Sequence, residues 1–170
     1  RQRQMCIRDS VDPARIRYNS YAPPAVITGL MVNNVPITAR EAYDGHVILD
    51  KDITCTKQLK LNYTERNFSF TISSCCYFLP LKNKYAFKME GFDSEWTTVS
   101  ALERRITYTN LNPGTYTFKV KAMNNDRIWS KEITSLQITI LPPFWATGWA
   151  IALYIIAGIL LALSLIHISE

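Results

Sequence analysis

Two histidines occur in this chain of 170 residues, His46 and His167. Histidine is the usual base of neutral-pH catalysis because its ordinary pKa lies near that pH. Only His46 lies in the body of the chain. It follows Asp44-Gly45 at the start of a strand-like stretch, where a structural role is expected. The carboxylates Glu90, Asp93, Glu95 and Glu103 fall on alternating strand faces or in loops, where they serve solubility. Asp93-Ser94-Glu95 has too few oxygen ligands for a calcium loop. The six glycines form no phosphate-cradling loop. No catalytic, cofactor-binding or metal-ligating residue is assigned, and the chain is not expected to be an enzyme by itself.

The four cysteines, Cys6, Cys55, Cys75 and Cys76, have no C-x-x-C spacing, so a zinc site is not expected. Adjacent Cys75 and Cys76 would face opposite sides of a strand. Either could pair with Cys55 in an oxidising compartment, and the competing reading is small buried thiols. Asn62-Tyr63-Thr64 and Asn67-Phe68-Ser69 match the glycosylation sequon, which matters only in a eukaryotic secretory pathway. Net charge is +5, from 19 basic and 14 acidic side chains. The basic residues are scattered, and nucleic-acid binding would require them clustered, so no nucleic-acid contact is expected.

The elements that must carry these residues are short strands. Ala25 to Val32 is one, closed by Asn33-Asn34, and His46 to Leu49 is another. Apolar and polar residues then alternate through Leu59-Leu61-Tyr63, Phe68-Phe70-Ile72, Tyr85-Phe87-Met89, Tyr116-Phe118-Val120-Ala122 and Leu136-Ile138-Ile140. Period two means one buried and one wet face. Turn residues separate the runs, at Gly91-Phe92-Asp93, Asn112-Pro113-Gly114 and Asn124-Asn125-Asp126. The pattern predicts an all-β, immunoglobulin/fibronectin-III-like antiparallel sandwich. In such sandwiches a tyrosine placed like Tyr116 bonds through its hydroxyl to backbone a few residues upstream. Trp96 and Trp129 are expected to fill the core, with surface recognition as the second reading.

Phe144 to Leu163 runs twenty residues without a charge. As a helix it would rise about 30 Å, the thickness of a bilayer's hydrocarbon core. Pro142-Pro143 ends the last strand where this helix is expected to start, and Phe144, Trp145 and Trp149 form the aromatic belt of a membrane interface. The expected organisation is a linker over 11–24, a sandwich over 25–141 and one transmembrane helix over 142–163. Residues 1–10 and 164–170 fit nothing beside them. They resemble translated sequencing-adapter text and are expected to be non-native.

With these motifs laid out, the chain resembles the three-tyrosine (Y_Y_Y) domain of bacterial two-component sensors. The likeness runs from about Asp12 to Leu163. It rests on Asp12-Pro13-Ala14-Arg15-Ile16, Tyr21-Ala22-Pro23-Pro24, Asn67-Phe68-Ser69-Phe70, the run Tyr85 to Trp96 containing Gly91, Tyr108-Thr109-Asn110-Leu111, Pro113-Gly114-Thr115-Tyr116, Trp129 and Leu141-Pro142-Pro143-Phe144-Trp145. The name-giving tyrosines would be Tyr85, Tyr108 and Tyr116. Arg127 stands where the family often has glycine, and Cys75-Cys76 replaces small residues.

The resemblance implies a sandwich in the periplasm, fed by an upstream β-propeller and joined by one helix across the inner membrane to a histidine kinase. It implies a homodimer that relays ligand binding, commonly of an oligosaccharide, and no cofactor. Two other readings stay open: a membrane-anchored fibronectin-like adhesion module, and the spacer of a membrane-tethered enzyme.

Overall fold

The computed structural model describes residues 21–74 and 82–168. The 11–20 part of the linker, both unusual ends' outermost residues and the pair Cys75-Cys76 lie outside the described residues. The question of a Cys55 disulfide therefore stays where the sequence left it, with Cys55 exposed.

Strands β1 (Ala25–Val32), β2 (Val35–Pro36), β6 (Phe68–Ser74) and β9 (Arg105–Tyr108) form a four-stranded sheet in the order β2-β1-β6-β9. Strands β5 (Gln58–Leu61), β7 (Lys84–Glu90), β8 (Thr97–Ser100), β10 (Gly114–Met123) and β11 (Thr134–Ile140) form the second, in the order β5-β11-β10-β7-β8. A small hairpin, β3 (Ala42–Tyr43) with β4 (His46–Val47), stands apart. The His46 to Leu49 strand is thus shortened to two residues. Ile48 and Leu49 are instead buried as an irregular segment of the core.

The two sheets pack as the expected immunoglobulin/fibronectin-III-like sandwich. Alternation decides which residues meet: Ile27, Leu30, Phe68, Phe70, Ile72 and Ile106 from one sheet face Leu59, Met89, Phe118, Val120, Leu136 and Ile138 from the other. Phe70 and Phe118 stack across the gap at 4.8 Å between ring centroids. This core draws on residues from Ala25 to Ile140, so β1 and β6 are as necessary to it as the later strands.

Two details depart from the expected pattern. The pairing is not wholly antiparallel: β5 runs parallel to β11, with Leu59 beside Ile138 and Leu61 beside Ile140. The two strands are remote in sequence, so no tight turn forces them antiparallel. Tyr63 does not continue β5. The backbone turns into a 3-10 helix over Tyr63–Glu65, fixed by the Asn62 N–H donating to Glu65 Oε2 at 2.8 Å.

Helix α1 spans Gly148–Ile168 and not 142–163. Pro143 is extended, Phe144–Ala146 make one 3-10 turn, and Thr147 is extended again before α1 begins. Prolines that lack a backbone donor hold the chain extended, and the Thr147 carbonyl then starts the helix by accepting from Ala150 and Ile151. From Trp149 to Leu165 the large apolar side chains of α1 are exposed, and among the described residues it is the one helix long and apolar enough to cross a membrane.

Candidate functional site: tyrosine ties and two anchored ends

The three tyrosines expected to be name-giving, Tyr85, Tyr108 and Tyr116, each tie a different pair of segments. Tyr85, buried on β7, reaches Ser74 Oγ at 3.4 Å at the end of β6 and so bridges the two sheets. Tyr108, at the end of β9, is buried among Phe68, Phe87, Phe92 and Phe118. Its hydroxyl donates to Asp93 Oδ2 at 2.8 Å. Burial raises its pKa well above the ordinary tyrosine value, and the Asp93 hydrogen bond and charge add to that. Tyr116 donates to the Asn112 carbonyl oxygen at 3.0 Å, the upstream bond expected from the Asn112-Pro113-Gly114 turn. Its ring is only half-buried and packs at the margin of the core.

Gly91 serves that ring. Its φ is +94°, and a Cβ built there would stand 3.1 Å from Tyr116 Cδ1. Both the backbone conformation and the close approach call for glycine. Gly114, with φ +158°, also lies against the Tyr116 ring, and Pro113 beside it is exposed.

Trp96 and Trp129 do not fill the core. Trp96 is 37% exposed, and Trp129 is partly buried at the sandwich surface. Because Phe118, Val120 and Ala122 turn inward, Lys121 turns outward, beside Ala86. Its ammonium lies 4.5 Å from the Trp96 ring centroid and 4.9 Å from that of Trp129. Both indoles therefore cover the outer face of the sheet with a cation between them. Arg127, two residues before Trp129, adopts φ +63°. The turn thus keeps a left-handed conformation even though glycine is missing there.

The upstream end is pinned to the loop between β10 and β11 and to the first residue of β11. Asn124 Nδ2 donates to the Tyr21 carbonyl at 3.1 Å, and Thr134 Oγ1 donates to the Ala25 carbonyl. Tyr21, Ala22 and Pro24 line a cleft with Trp129, Ser130 and Glu132. Asn124 also caps its own turn, its Oδ1 accepting from Asp126 N at 3.0 Å and Ile128 N at 2.9 Å.

The downstream end is pinned at the opposite end of β11. Leu141 N donates to the Leu61 carbonyl at 2.9 Å, which extends the β5–β11 pairing past the strand. The Trp145 ring stands edge-on to Tyr63, 5.7 Å between centroids, and the Arg66 guanidinium lies 4.2 Å over the other ring of that pair, Tyr63. Phe144 packs against Trp145 at 4.8 Å, while Trp149 is exposed on the first turn of α1. Pro142 is exposed and Pro143 half-buried between them.

Of the polar residues weighed for chemistry, His46, Asp93 and Glu90 have structural partners, while Glu95 and Glu103 are exposed. His46 Nε2 lies 3.1 Å from Glu65 Oε1 and 3.2 Å from Asn62 Nδ2, at the turn that carries Tyr63. Asp93 Oδ2 also accepts from the Met89 N–H at 2.8 Å, and Glu90 pairs with Lys119 at 2.6 Å. Among the described residues no three His, Cys, Asp or Glu side chains gather into a metal-binding group. The sequence signals for Asp93, Tyr63, Arg66, Lys121 and Asn124 are weak. The Asn62-x-x-Glu65 spacing marks the turn that holds Tyr63, but nothing local announces that Trp145 will meet it.

Known proteins resemble this chain in sequence and in fold. Residues 76–141 match the family model of the Y_Y_Y domain. The chain is 36% identical over 147 residues to histidine kinase P4 of Formosa agariphila, covering 85% of this chain and 10% of that protein. It is similar to the extracellular domains of two hybrid two-component systems of B. thetaiotaomicron. One superposes with a TM-score of 0.64 at 32% identity over 78% of this chain and 17% of that one. The other gives 0.55 at 30% identity over 71% and 15%. The chain thus spans about a tenth of its curated relative and less than a fifth of these solved chains. Residues 76–141 thus match the Y_Y_Y domain, and the chain as a whole is similar in sequence and fold to the extracellular parts of two-component sensors.

Proposed function

We propose that this chain is the relay segment of a sensor histidine kinase. It would couple ligand binding in an upstream β-propeller, entered through residues 11–24, to a kinase inside the cell. The sandwich works in the periplasm, α1 crosses the inner membrane once, and two copies act as a homodimer. The ligand class inferred from the family resemblance is an oligosaccharide, and the output is transcription of genes for its use.

One observation carries this reading: both ends of the sandwich are clamped, and β11 lies between the clamps. A displacement of Tyr21–Ala25 bears on Asn124 and Thr134 through their hydrogen bonds. β11 starts at Thr134 and ends one residue before Leu141, which is held to Leu61. A strand hydrogen-bonded on both sides, to β5 and β10, transmits displacement along its length where a flexible linker would absorb it. Pro142-Pro143 and the Tyr63–Trp145 contact continue that stiffness to within a few residues of α1.

The test is an insertion of four glycines after Leu141 in the full sensor. Ligand-dependent kinase output should be lost while the protein still inserts and binds ligand. An unaltered response would refute the relay. Coding sequence downstream of α1 without a kinase dimerisation helix would instead favour the adhesion-module reading.

A further inference from the structure

Arg66 has no assigned role, and its surroundings are unusual for an arginine. It makes no salt bridge among the described residues. Its guanidinium lies 4.2 Å over the Tyr63 ring, which in turn stands 5.7 Å from the Trp145 ring. These two contacts in series keep the guanidinium within about 10 Å of Trp145. Trp145 is followed by Ala146 and Thr147, and then α1 begins at Gly148.

That distance has a chemical meaning once α1 is in a bilayer. The hydrocarbon core is about 30 Å thick and the headgroup layers add roughly 5–8 Å on each side. Indole rings flanking a span sit at that boundary. Trp145 and Trp149 are the indoles here, both exposed. Arg66 then lies within about 10 Å of that boundary, within reach of the lipid phosphates. Among the described residues the guanidinium makes no hydrogen bond or ion pair, so its N–H fork is available to a ligand. That fork matches the paired oxygens of a phosphate.

The geometry points to a phospholipid site at the foot of the sandwich. Arg66 takes the headgroup phosphate, with Tyr63 and Trp145 fixing the arginine and flanking the lipid. The ligand is a membrane glycerophospholipid, recognised by its phosphodiester and not by its headgroup substituent. Such a contact would hold the sandwich down on the membrane and fix the Tyr63–Trp145 clamp in one arrangement. This inference rests on α1 spanning the bilayer, the reading proposed above.

The test is carbon–phosphorus dipolar dephasing in solid-state NMR of the whole chain, labelled at the arginine Cζ carbons, in phosphatidylethanolamine/phosphatidylglycerol bilayers. A guanidinium bonded to a phosphate puts carbon and phosphorus on the order of 4–5 Å apart. A dephased arginine population is expected, and Arg66→Gln should remove it while the sandwich still melts cooperatively. Trp145→Ala should weaken it. Unchanged dephasing in Arg66→Gln overturns the site. In phospholipid-free detergent, inorganic phosphate should not restore the signal; full restoration would mean a free-phosphate site and overturn the lipid assignment. Amide exchange of Ile151–Leu165 in the same bilayers separates the two readings. Slow exchange with no phosphorus contact at Arg66 overturns this inference alone. Fast exchange means α1 is not in lipid, and overturns both.

Discussion

The Tyr108 hydroxyl and the Met89 backbone N–H converge on one atom, Asp93 Oδ2, each at 2.8 Å. Asp93 thereby ties the end of β9 to the turn after β7, across the two sheets. Hydrogen bonds to a carboxylate contribute roughly 1.5–3 kcal/mol each. Tyr108→Phe should therefore lower stability by about that amount and leave the aromatic packing intact. Urea unfolding of the chain in detergent micelles measures it, and a loss below about 0.5 kcal/mol would mean the bond is solvated and unimportant.

The same tyrosine sets an alkaline limit. Its pKa is raised in the folded state, first by burial and then by Asp93. The unfolded chain releases this proton near pH 10. Below that pH both states keep the proton and its full contribution stands. Above it the unfolded state ionises first, so stability falls by up to about 1.4 kcal/mol per pH unit. The urea midpoint of wild type should drop more steeply above pH 10 than that of Tyr108→Phe. Parallel profiles would show that another group governs the loss.

Gly91 and Gly45 offer a matched pair. Both have positive φ, +94° and +83°, but only Gly91 has a neighbour where a Cβ would go. Gly45→Ala should cost about 1 kcal/mol of backbone strain alone. Gly91→Ala adds a 3.1 Å approach to the Tyr116 ring and should cost about 2–3 kcal/mol. Thermal melts of both variants decide it, and equal costs would show that the Tyr116 ring yields freely.

Arg127 is strained for a similar reason. It is exposed and holds φ +63° in the turn before Trp129. Arg127→Gly should stabilise the chain by about 0.5–1 kcal/mol, since the left-handed strain relieved outweighs glycine's greater freedom when unfolded. A lower melting temperature would indicate that the arginine side chain makes up for its backbone.

The tryptophan exposed at the surface should matter less to stability than a core ring. Trp96→Ala removes one side of the Lys121 sandwich and should cost about 1 kcal/mol, whereas Phe118→Ala should cost about 3–5 kcal/mol. If the two cost the same, Trp96 is acting as core after all.

Much of the sandwich was legible because the evidence for it is local. Ala25–Val32 emerges with the bounds its composition suggests, and the alternations in β6, β10 and β11 place Phe70, Phe118 and Ile138 inside. The upstream bond of Tyr116 could be expected from its turn, and the apolar tail from its length. A strand's inward face and a membrane helix are properties of a few neighbouring residues in water. β8 and β9 escaped because four residues are too short for periodicity to stand out.

The positions of single large side chains were decided only when the chain closed. Trp96 and Trp129 are as apolar as any core residue, yet the β7–β10 register puts Ala86 beside outward-facing Lys121, and both indoles settle over that cation. Tyr63 reads as the next step of a strand, but the Glu65 cap turns it out of β5, toward Trp145. Composition specifies which residues leave water; pairing between distant strands specifies which of them meet. That difference follows from range: burial can be satisfied by many partners, while a ring contact or a hydrogen bond has one geometry that the whole fold must supply.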